Sequence, residues 1–403
     1  MTESPLDLHA WQRLLSSECD ALRAKAAEID AGDVAAVTRL RGKWDVELVH
    51  AALQLQKARN KLQPKFPDRW QTLLADPTGA EMATGLRVGM HKAKRFASKL
   101  AGASVVDLCC GIGGDAMCMR DAGLNVTVVD NDPTRAWMAG ANAACKLLAC
   151  DVLASEVPTG AFHIDPARRT VGGAGAKRVF ELELLSPPAS VIASVIRRRR
   201  DGAVKLQPGI DIAELAQHEI VGEVEVISDQ GRLVQAVVWC GALSAGDSVR
   251  TATLVRRDGS TVSMHGESRA EPVAVSPMLR YVHELDPSIE RVGLLHTMCE
   301  RANAAMVHPA LGLLTSDLVL DDPFVTCFEV LDHFPWKVPR AKDKLKNLGA
   351  GIVEVKTRDK QVDPDSVQRE LSRPGAGPTL TLFVLRFDRE VRGIVARRIV
   401  KPA

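Results

Sequence analysis

The sequence predicts an α/β protein built around a mostly parallel β-sheet, and three observations support this prediction. Short apolar runs alternate with amphipathic segments between residues 101 and 241, as strands alternate with helices in such proteins. A glycine-rich turn follows the first apolar run, and an acidic residue ends the second. The last two runs meet at a tight Asp229–Gln230–Gly231 turn, which predicts an antiparallel final hairpin.

An N-terminal helical region is predicted over residues 1–98. The segment "DVELVHAALQLQKARNKL", residues 45–62, carries apolar residues at helical spacing, and Asp45 is placed to cap its first turn. Prolines interrupt the pattern at residues 63–70, and a further helix is predicted over residues 86–100.

The region 99–245 is predicted to hold the sheet, with seven strands and four helices. Only about ten residues separate the third and fourth strands, so the crossover helix there is expected to be short or absent. The strands are predicted at residues 104–109, 125–130, 146–150, 161–165, 202–206, 223–228 and 233–240, and the helices at 114–122, 133–144, 181–199 and 211–219.

The remaining chain is predicted to form a hairpin or linker over residues 246–275, around Asp258–Gly259, and a small α+β domain over 276–403. From Lys337 to the end the chain has 16 lysines and arginines against 8 acidic residues, a balance of +8. Because the whole chain carries +2, the preceding residues carry −6. This asymmetry suggests that only the C-terminal part faces a polyanion, although a solvated charged surface has the same composition.

Composition excludes several classes of protein. No run of about 18 apolar residues occurs, and the N-terminus lacks a basic and then apolar signal region, so no membrane partner is expected. The nine cysteines form no CxxC pair and no cluster with histidine. We therefore predict a cytoplasmic protein without a disulfide framework or a metal site.

The glycine turn predicts a nucleotide-like ligand. Gly111, Gly113 and Ala116 match the GxGxxA pattern after a strand, and Asp130 follows about twenty residues later, at the end of the second strand. Its carboxylate would accept hydrogen bonds from both hydroxyls of an adenosine ribose. Asp107, at the end of the first strand, would repel a pyrophosphate but suits a cationic ammonium or sulfonium.

These motifs together resemble class I S-adenosylmethionine-dependent methyltransferases, and more closely bacterial ones that carry a C-terminal THUMP-like domain. The resemblance covers most of the chain from about residue 45. It implies a Rossmann-like sheet of seven strands with a reversed last strand. It rests on "EMATG" (81–85), "DLCCGIGGD" (107–115), "VVDNDP" (128–133), "IDPARR" (164–169), "VKLQPG" (204–209), "SDQGRLVQAVVWCG", "RYVHELDPSIER" (280–291) and "GIVEVKTR" (351–358).

The resemblance also implies a cofactor site for S-adenosylmethionine. The methionine part would be surrounded by Asp107, Gly111, Gly113 and Gly114. Asp130 would hold the ribose, and Asp151 would lie beside the adenine. Thr84 would cap the cofactor.

Asp165 and Pro166 are the candidate acceptor residues. In amino-methyltransferases an Asp-Pro-Pro-aromatic or Asn-Pro-Pro-aromatic motif accepts the two hydrogens of an exocyclic amine, which turns its lone pair toward the methyl group. Here Ala167 and Arg168 replace the second proline and the aromatic residue. Amine methylation is therefore favoured but not fixed, and Arg168 or Arg169 could instead contact a phosphate or form a structural ion pair.

The predicted function is methylation of a base nitrogen in tRNA or rRNA, with the C-terminal domain aiding RNA binding. The resemblance implies RNA capture by this domain, and Lys342 and Lys346 would share one helical face. The run "RRRR" at 197–200 could also contact RNA, although cations are favourable at any helix C-terminus.

Three alternatives remain at this stage. The altered acceptor motif fits a non-catalytic RNA-binding protein with a degenerate methyltransferase fold. The literal GxGxxA match fits a nicotinamide-dependent oxidoreductase. Methylation of pyrimidine C5 would need a cysteine nucleophile, and "VKLQPG" has none, while Cys109, Cys110 and Cys118 fit small packing residues better.

Overall fold

The structure of the chain, a computed structural model, describes residues 7–30, 32–168, 182–358, 361–375 and 377–400. Internal contacts divide the chain into two compact units. The first comprises Met1–Asp229, Val234–Asp247 and Val255–Thr261, and the second comprises Gln230–Leu233, Ser248–Leu254 and Val262–Ala403. The domain boundaries drawn from the sequence stay predictions.

The first unit begins with helices whose starts follow from capping. Asp7, Asp33 and Asp76 each accept hydrogen bonds from backbone amides of the first turn that follows them. The prediction for Asp45 differs from the structure, because its carboxylate bonds the Arg13 guanidinium at 3.0 Å and caps no amide. The helices are α1 (Leu8–Leu14), α2 (Asp20–Glu28), α3 (Val34–Arg41), α4 (Val46–Leu62), α5 (Pro77–Met82) and α6 (Leu86–Lys99).

Nine strands and three helices follow among the described residues of the same unit. The strands are β1 (Ser104–Leu108), β2 (Asn125–Asp130), β3 (Lys146–Ala149), β4 (Ala161–Ile164), β5 (Ala167–Arg168), β6 (Leu185–Ser186), β7 (Gly202–Leu206), β8 (Glu223–Asp229) and β9 (Arg232–Cys240), and all but β5 and β6 belong to one mixed sheet. The helices are α7 (Gly114–Asp121), α8 (Pro133–Ala143) and α9 (Ala189–Arg199). Strands β5 and β6 form a separate two-stranded ribbon.

Within the first unit, the strands of the main sheet follow the order β8-β9-β7-β4-β1-β2-β3. Strands β3, β2, β1, β4 and β7 pair in parallel, and β9 is antiparallel to β7, as the predicted reversed last strand requires. Since β1 has β2 on one side and β4 on the other, the strand order reverses beside β1. Open α/β sheets bind ligands at this point, outside the carboxyl ends of the strands.

Two of the predicted helices differ from the structure. The segment predicted as a helix over 181–199 becomes helical only at Ala189, because Pro187 and Pro188 lack the amide hydrogen that a helix interior needs. The segment 211–219 forms two short 3₁₀ turns, the second ending at Glu219 with φ +57°. Between β3 and β4 the chain makes only turns, as the short spacing predicts.

The second unit contains the hairpin strands β10 (Val249–Val255) and β11 (Thr261–Glu267), followed by an α+β arrangement. The later strands are β12 (Tyr281–Leu285), β13 (Ala305–Met306), β14 (Leu313–Ser316), β15 (Val325–Pro335), β16 (Val353–Thr357), β17 (Leu380–Phe387) and β18 (Glu390–Arg398). The helices are α10 (Pro287–Val292), α11 (Leu295–Ala302), α12 (Val338–Asn347) and α13 (Pro364–Leu371).

The later strands form one sheet in the order β13-β14-β12-β15-β18-β17-β16. Only β16 and β17 pair in parallel, which the crossover helix α13 allows. Both faces are apolar: along β17, Leu382 and Val384 belong to one buried cluster, while Phe383 and Leu385 belong to another. This is the two-residue alternation that a sheet covered on both faces requires.

Candidate active site

A cavity of about 360 Å³ lies at the carboxyl ends of the parallel strands of the first unit. This volume falls within the range of small-molecule sites. Four of the predicted site residues line it, from four different strand ends: Gly111, Asp130, Asp151 and Asp165. The other predicted residues that the structure describes, Thr84, Asp107, Gly113, Gly114 and Pro166, do not belong to the lining.

Asp130 is fixed by the backbone of the glycine turn. Its Oδ2 accepts the N–H of Gly111 at 2.9 Å, and its Oδ1 accepts the N–H of Asp132 at 3.0 Å. Burial nevertheless raises the pKa of Asp130, because these two hydrogen bonds only partly offset the loss of water. The carboxylate therefore faces the cavity in one held orientation.

Gly113 and Gly114 serve packing between backbone segments. Gly113 has φ +83°, and a Cβ on it would lie 3.0 Å from the Cα of Ala139 in α8. A Cβ on Gly114 would lie 3.0 Å from the carbonyl oxygen of Thr84. Of the three glycines, only Gly111 has open space where a side chain would be, and it alone lines the cavity.

Asp107 belongs to a buried polar network behind the turn. Its Oδ1 is 2.7 Å from Nδ1 of His163, and Nε2 of His163 is 3.2 Å from Nζ of Lys92. Lys92 pairs with Asp115 at 2.7 Å, and the Thr84 hydroxyl donates to the other Asp115 oxygen at 2.8 Å. Asp107 and Thr84 thus meet through this network and away from the cavity lining.

The two carboxyls of the network titrate in opposite directions. Burial raises the pKa of Asp107, and its bond to His163 only partly opposes this. Burial acts in the same sense on Asp115, but Lys92, His163 and Lys205 together outweigh it and lower the pKa of Asp115 below its ordinary value. Asp115 is therefore charged at neutral pH, whereas the Asp107 carboxylate lacks a full cationic partner.

Asp165 lies at the end of β4 and is held by Lys205 of β7. Nζ of Lys205 is 2.5 Å from Oδ2 of Asp165, and the Asp165 amide donates to the carbonyl of Leu108 at 3.1 Å. Burial would lower the pKa of Lys205, but the carboxylates of Asp165 and Asp115 outweigh burial and raise it. Pro166 is buried next to Asp165, and the side chain of Arg168 lies outside what the structure describes, as does Arg169.

One wall of the cavity is the end of α5, in the "EMATG" segment. Met82 and Ala83 line it, and Nζ of Lys65 donates to the carbonyls of Ala80, Glu81 and Ala83 at 3.0, 2.5 and 2.7 Å. These are carbonyls that a helix end leaves without partners. Burial, with a smaller effect from Lys205, lowers the pKa of Lys65 to about 8.

The cysteines near the turn are poor nucleophiles. Burial raises the pKa of the Cys109 and Cys110 thiols well above its ordinary value and raises that of Cys118 to about 12. A thiol with a raised pKa carries little of the reactive thiolate at neutral pH. The structure therefore gives no support to a covalent pyrimidine C5 mechanism through these residues.

Two negative findings apply to the described parts of the chain. No helix there is both long enough and apolar enough to cross a membrane. No group of three or more histidine, cysteine or acidic side chains within those residues is arranged to hold a metal ion.

Sequence reasoning missed Lys92, His163 as a polar partner, Asp115, Lys205 and Lys65. Lys92 gave a signal, because it lies four residues after Val88 and four before Phe96, on the buried stripe of α6. A lysine on an apolar stripe predicts a buried partner. The partners themselves gave no signal, since they lie 23 and 71 residues further along the chain.

Comparison with known proteins adds to this geometry. Two Mycobacterium tuberculosis proteins, from strains CDC 1551 / Oshkosh and ATCC 25618 / H37Rv, are each named as an uncharacterized S-adenosylmethionine-dependent methyltransferase. Each is 29% identical to this chain over 370 residues, which cover 90% of this chain and 98% of the relative. The family model described as THUMP domain-like matches residues 325–398.

The chain also shares its fold with a solved structure. The crystal structure of a Porphyromonas gingivalis W83 protein assigned as a methyltransferase matches with a TM-score of 0.69 at 18% identity. The match covers 92% of this chain and 100% of that chain. The fold is thus that of the class I methyltransferases, as predicted.

The predicted resemblance to S-adenosylmethionine-dependent methyltransferases with a C-terminal THUMP-like domain is confirmed by the same comparisons. Together they support methyl transfer from S-adenosylmethionine as the chemistry of this chain.

Proposed function

We propose that the protein methylates a base nitrogen of tRNA or rRNA, with S-adenosylmethionine as the methyl donor. The observation that carries the proposal is the cavity, where Asp130 at the end of β2 and Asp165 at the end of β4 face one volume beside Gly111. This reaction needs a diol-binding carboxylate and an amine-orienting carboxylate at one site, and here they lie at the strand ends on either side of β1.

The described residues fit S-adenosylmethionine. Oδ2 of Asp107 is buried and has no hydrogen-bond partner among the described residues, so it can accept from an ammonium. Asp130 would hold the ribose, Asp151 would lie beside the adenine, and Gly111 leaves its side-chain space open. Gly113, Gly114 and Thr84 would act indirectly, by holding the turn against α8 and the "EMATG" segment.

When bound, the sulfonium supplies an activated methyl group for in-line displacement. The role of this chain is to hold and orient the acceptor. Oδ2 of Asp165 is occupied by Lys205, which leaves Oδ1 to accept one N–H of an exocyclic amine, while the carbonyl of Pro166 accepts the other. The backbone amide of Asp165 donates to the carbonyl of Leu108 at the end of β1, which fixes the position of the carboxylate relative to the sheet.

RNA binding is assigned to the C-terminal unit, where the THUMP domain-like match lies. Helix α12 exposes Lys342 and Lys346 on one face, and no ion pair involves either of them within the described residues. Lys344, between them, pairs with Asp332 at 2.7 Å. Exposed lysines without carboxylate partners are suited to neutralising RNA phosphates.

The test is transfer of labelled methyl groups to fractionated RNA. Wild-type protein is expected to label tRNA or rRNA on a base nitrogen, and Asp165→Ala is expected to reduce the rate by about 100-fold or more, as loss of acceptor positioning does. Asp165→Asn should also lose activity, because Lys205 would take its single amide oxygen and leave an NH2 donor facing the amine. Glu156→Gln, at an exposed position, is the control and should retain wild-type activity.

Two outcomes would reject the proposal. Label found in proteins or small molecules, and in no RNA fraction, would reject the RNA acceptor. RNA binding without any turnover, unchanged by Asp165→Ala, would instead favour the non-catalytic RNA-binding protein.

A further inference from the structure

The buried network behind the glycine turn has an unbalanced charge. Asp107, Asp115 and Asp165 supply three carboxylates, and the two ammonium groups that face them are those of Lys92 and Lys205. A buried charge without a partner is costly unless a bound ion completes it. Two carboxylate oxygens of the network have no hydrogen-bond partner among the described residues: Oδ1 of Asp115, which lies 2.7 Å from the Lys92 ammonium, and Oδ2 of Asp107. Burial raises the pKa of Asp107, and a bound cation beside Oδ2 would lower the cost of its charged form.

The tautomer of His163 follows from its neighbours. A lysine ammonium has donors only, so Nε2 of His163, 3.2 Å from Nζ of Lys92, must be the acceptor. Nδ1 then carries the hydrogen and donates it to Oδ1 of Asp107 at 2.7 Å. In this arrangement His163 donates one N–H to Asp107 and places no N–H against the Lys92 ammonium.

We propose that Lys92 and His163 are positioning residues that hold Asp107 with Oδ2 free for the amino-acid ammonium of the cofactor. Lys92 fixes the tautomer of His163, and His163 fixes the rotation of the Asp107 carboxylate. Asp107 does not line the cavity, but it lies two residues before Cys109, which does, and its Oδ2 has no hydrogen-bond partner among the described residues. This inference rests on the proposed function, and it adds to that function the recognition of one group of the cofactor.

The test compares two ligands that differ in the amino-acid part. S-adenosylhomocysteine carries the ammonium, whereas 5′-methylthioadenosine lacks the whole amino-acid part and keeps the adenosine. His163→Leu and His163→Asn are variants of nearly equal shape, but only Asn retains an N–H donor toward Asp107. Calorimetric titration of the full chain measures both affinities for the wild type and for each variant.

We expect His163→Leu to weaken binding of S-adenosylhomocysteine by about 10- to 100-fold, the usual loss for a hydrogen bond to a charged group. Binding of 5′-methylthioadenosine should change by less than about twofold, and His163→Asn should restore most of the lost affinity. Equal losses for both ligands, or full retention of S-adenosylhomocysteine binding by His163→Leu, would overturn the inference.

A measurement on the wild type tests the inference even if the variants do not fold. Nitrogen-15 NMR of histidine-labelled protein should show a His163 ring protonated at Nδ1 and unprotonated at Nε2. The opposite tautomer, or a doubly protonated ring, would overturn the inference while leaving the proposed function standing. A wild type that does not bind S-adenosylhomocysteine would overturn the proposed function and the inference with it.

Discussion

The first unit contains a buried ion pair in addition to surface pairs such as Arg13 with Asp45, whereas the ion pairs described in the second unit are partly exposed. In the first unit, Lys92 and Asp115 form an ion pair that is almost removed from solvent, with 0% and 6% of the side chains exposed. In the second unit the pairs lie at the surface, such as Arg397 with Glu329, at 57% and 24% exposed. The first pair is shielded from water, and the second is open to it.

This difference follows from solvent. A buried pair is held in one geometry, and removal of one partner leaves the other charge buried and unpaired. An exposed pair is screened by water and salt and contributes little by itself. Variants of the two kinds of charge should therefore differ in size of effect, in pH dependence and in salt dependence.

The largest effect is expected for Lys92→Met. Loss of the ammonium leaves Asp115 buried without a cation, which should lower the free energy of unfolding by about 3–5 kcal/mol in urea titrations. The double variant Lys92→Met/Asp115→Asn removes both charges and should recover much of that loss. A cost below about 1 kcal/mol for the single variant would show that the pair is not buried in solution.

The same variant should reverse a pH dependence. In the wild type the pKa of Asp115 is lowered from 3.8, so its stabilising contribution is present above that pH and is lost as the pH falls below it. Without Lys92, burial raises this pKa, and the charged carboxylate becomes a cost above the same pH. Unfolding curves should therefore show a larger loss from Lys92→Met at pH 7 than near pH 4, and equal losses would contradict this.

The next effect concerns the ribose carboxylate. Asp130→Ala should weaken S-adenosylhomocysteine binding by about 10- to 100-fold, because two hydroxyls lose a charged acceptor and the turn loses its anchor at Gly111. Calorimetry measures the change. Glu156→Gln, at an exposed position, serves as the control and should bind as the wild type does; an Asp130→Ala affinity within twofold of wild type would refute the ribose assignment.

A smaller and salt-dependent effect is expected in helix α12. Lys342→Gln/Lys346→Gln should weaken RNA binding and reduce the slope of log affinity against log salt by about 1 to 2, since each lysine that meets a phosphate releases one counterion. Lys344→Gln is the matched control, because Lys344 pairs with Asp332 and should change the slope less. If Lys344→Gln lowers the slope as much as the double variant does, the assignment of Lys342 and Lys346 to RNA binding is wrong.

The smallest effect is expected for a surface pair of the second unit. Lys356 pairs with Glu284 at 2.8 Å, and both side chains are partly exposed. Lys356→Met should change the free energy of unfolding by less than about 1 kcal/mol. Urea titration of Lys356→Met and Lys92→Met compares the two changes in the free energy of unfolding. Equal changes would contradict the proposed difference between a buried and a partly exposed ion pair.

The sequence predicted the strands well because their signal is local. All seven strand predictions agree with the structure to within about two residues, since runs of β-branched residues bounded by turns depend on near neighbours. The carboxyl-end positions of Asp130 and Asp165 followed from the same strand ends. Helices near prolines were less predictable, as at residues 181–188.

The buried network could not be predicted, because it depends on which distant strand ends meet. The position of Lys92 on the apolar stripe of α6 indicates a buried partner, but it does not show that the partners are Asp115 and His163. The roles of Gly113 and Gly114 also needed the structure, since the sequence does not show that Gly113 approaches α8 and Gly114 approaches Thr84. Such a pattern signals close approach without showing which group approaches.

The burial of Lys92 has a consequence for synthesis of the chain. Helices α1 to α6 leave the ribosome first, but the ammonium in α6 meets its histidine partner only after 71 more residues have been added. At about 5–20 residues per second, that interval lasts roughly 4–14 seconds. Asp115, the carboxylate partner, is added after only 23 residues, so the ammonium can be paired before β4 exists, whereas the contact with His163 forms only once β4 has been made.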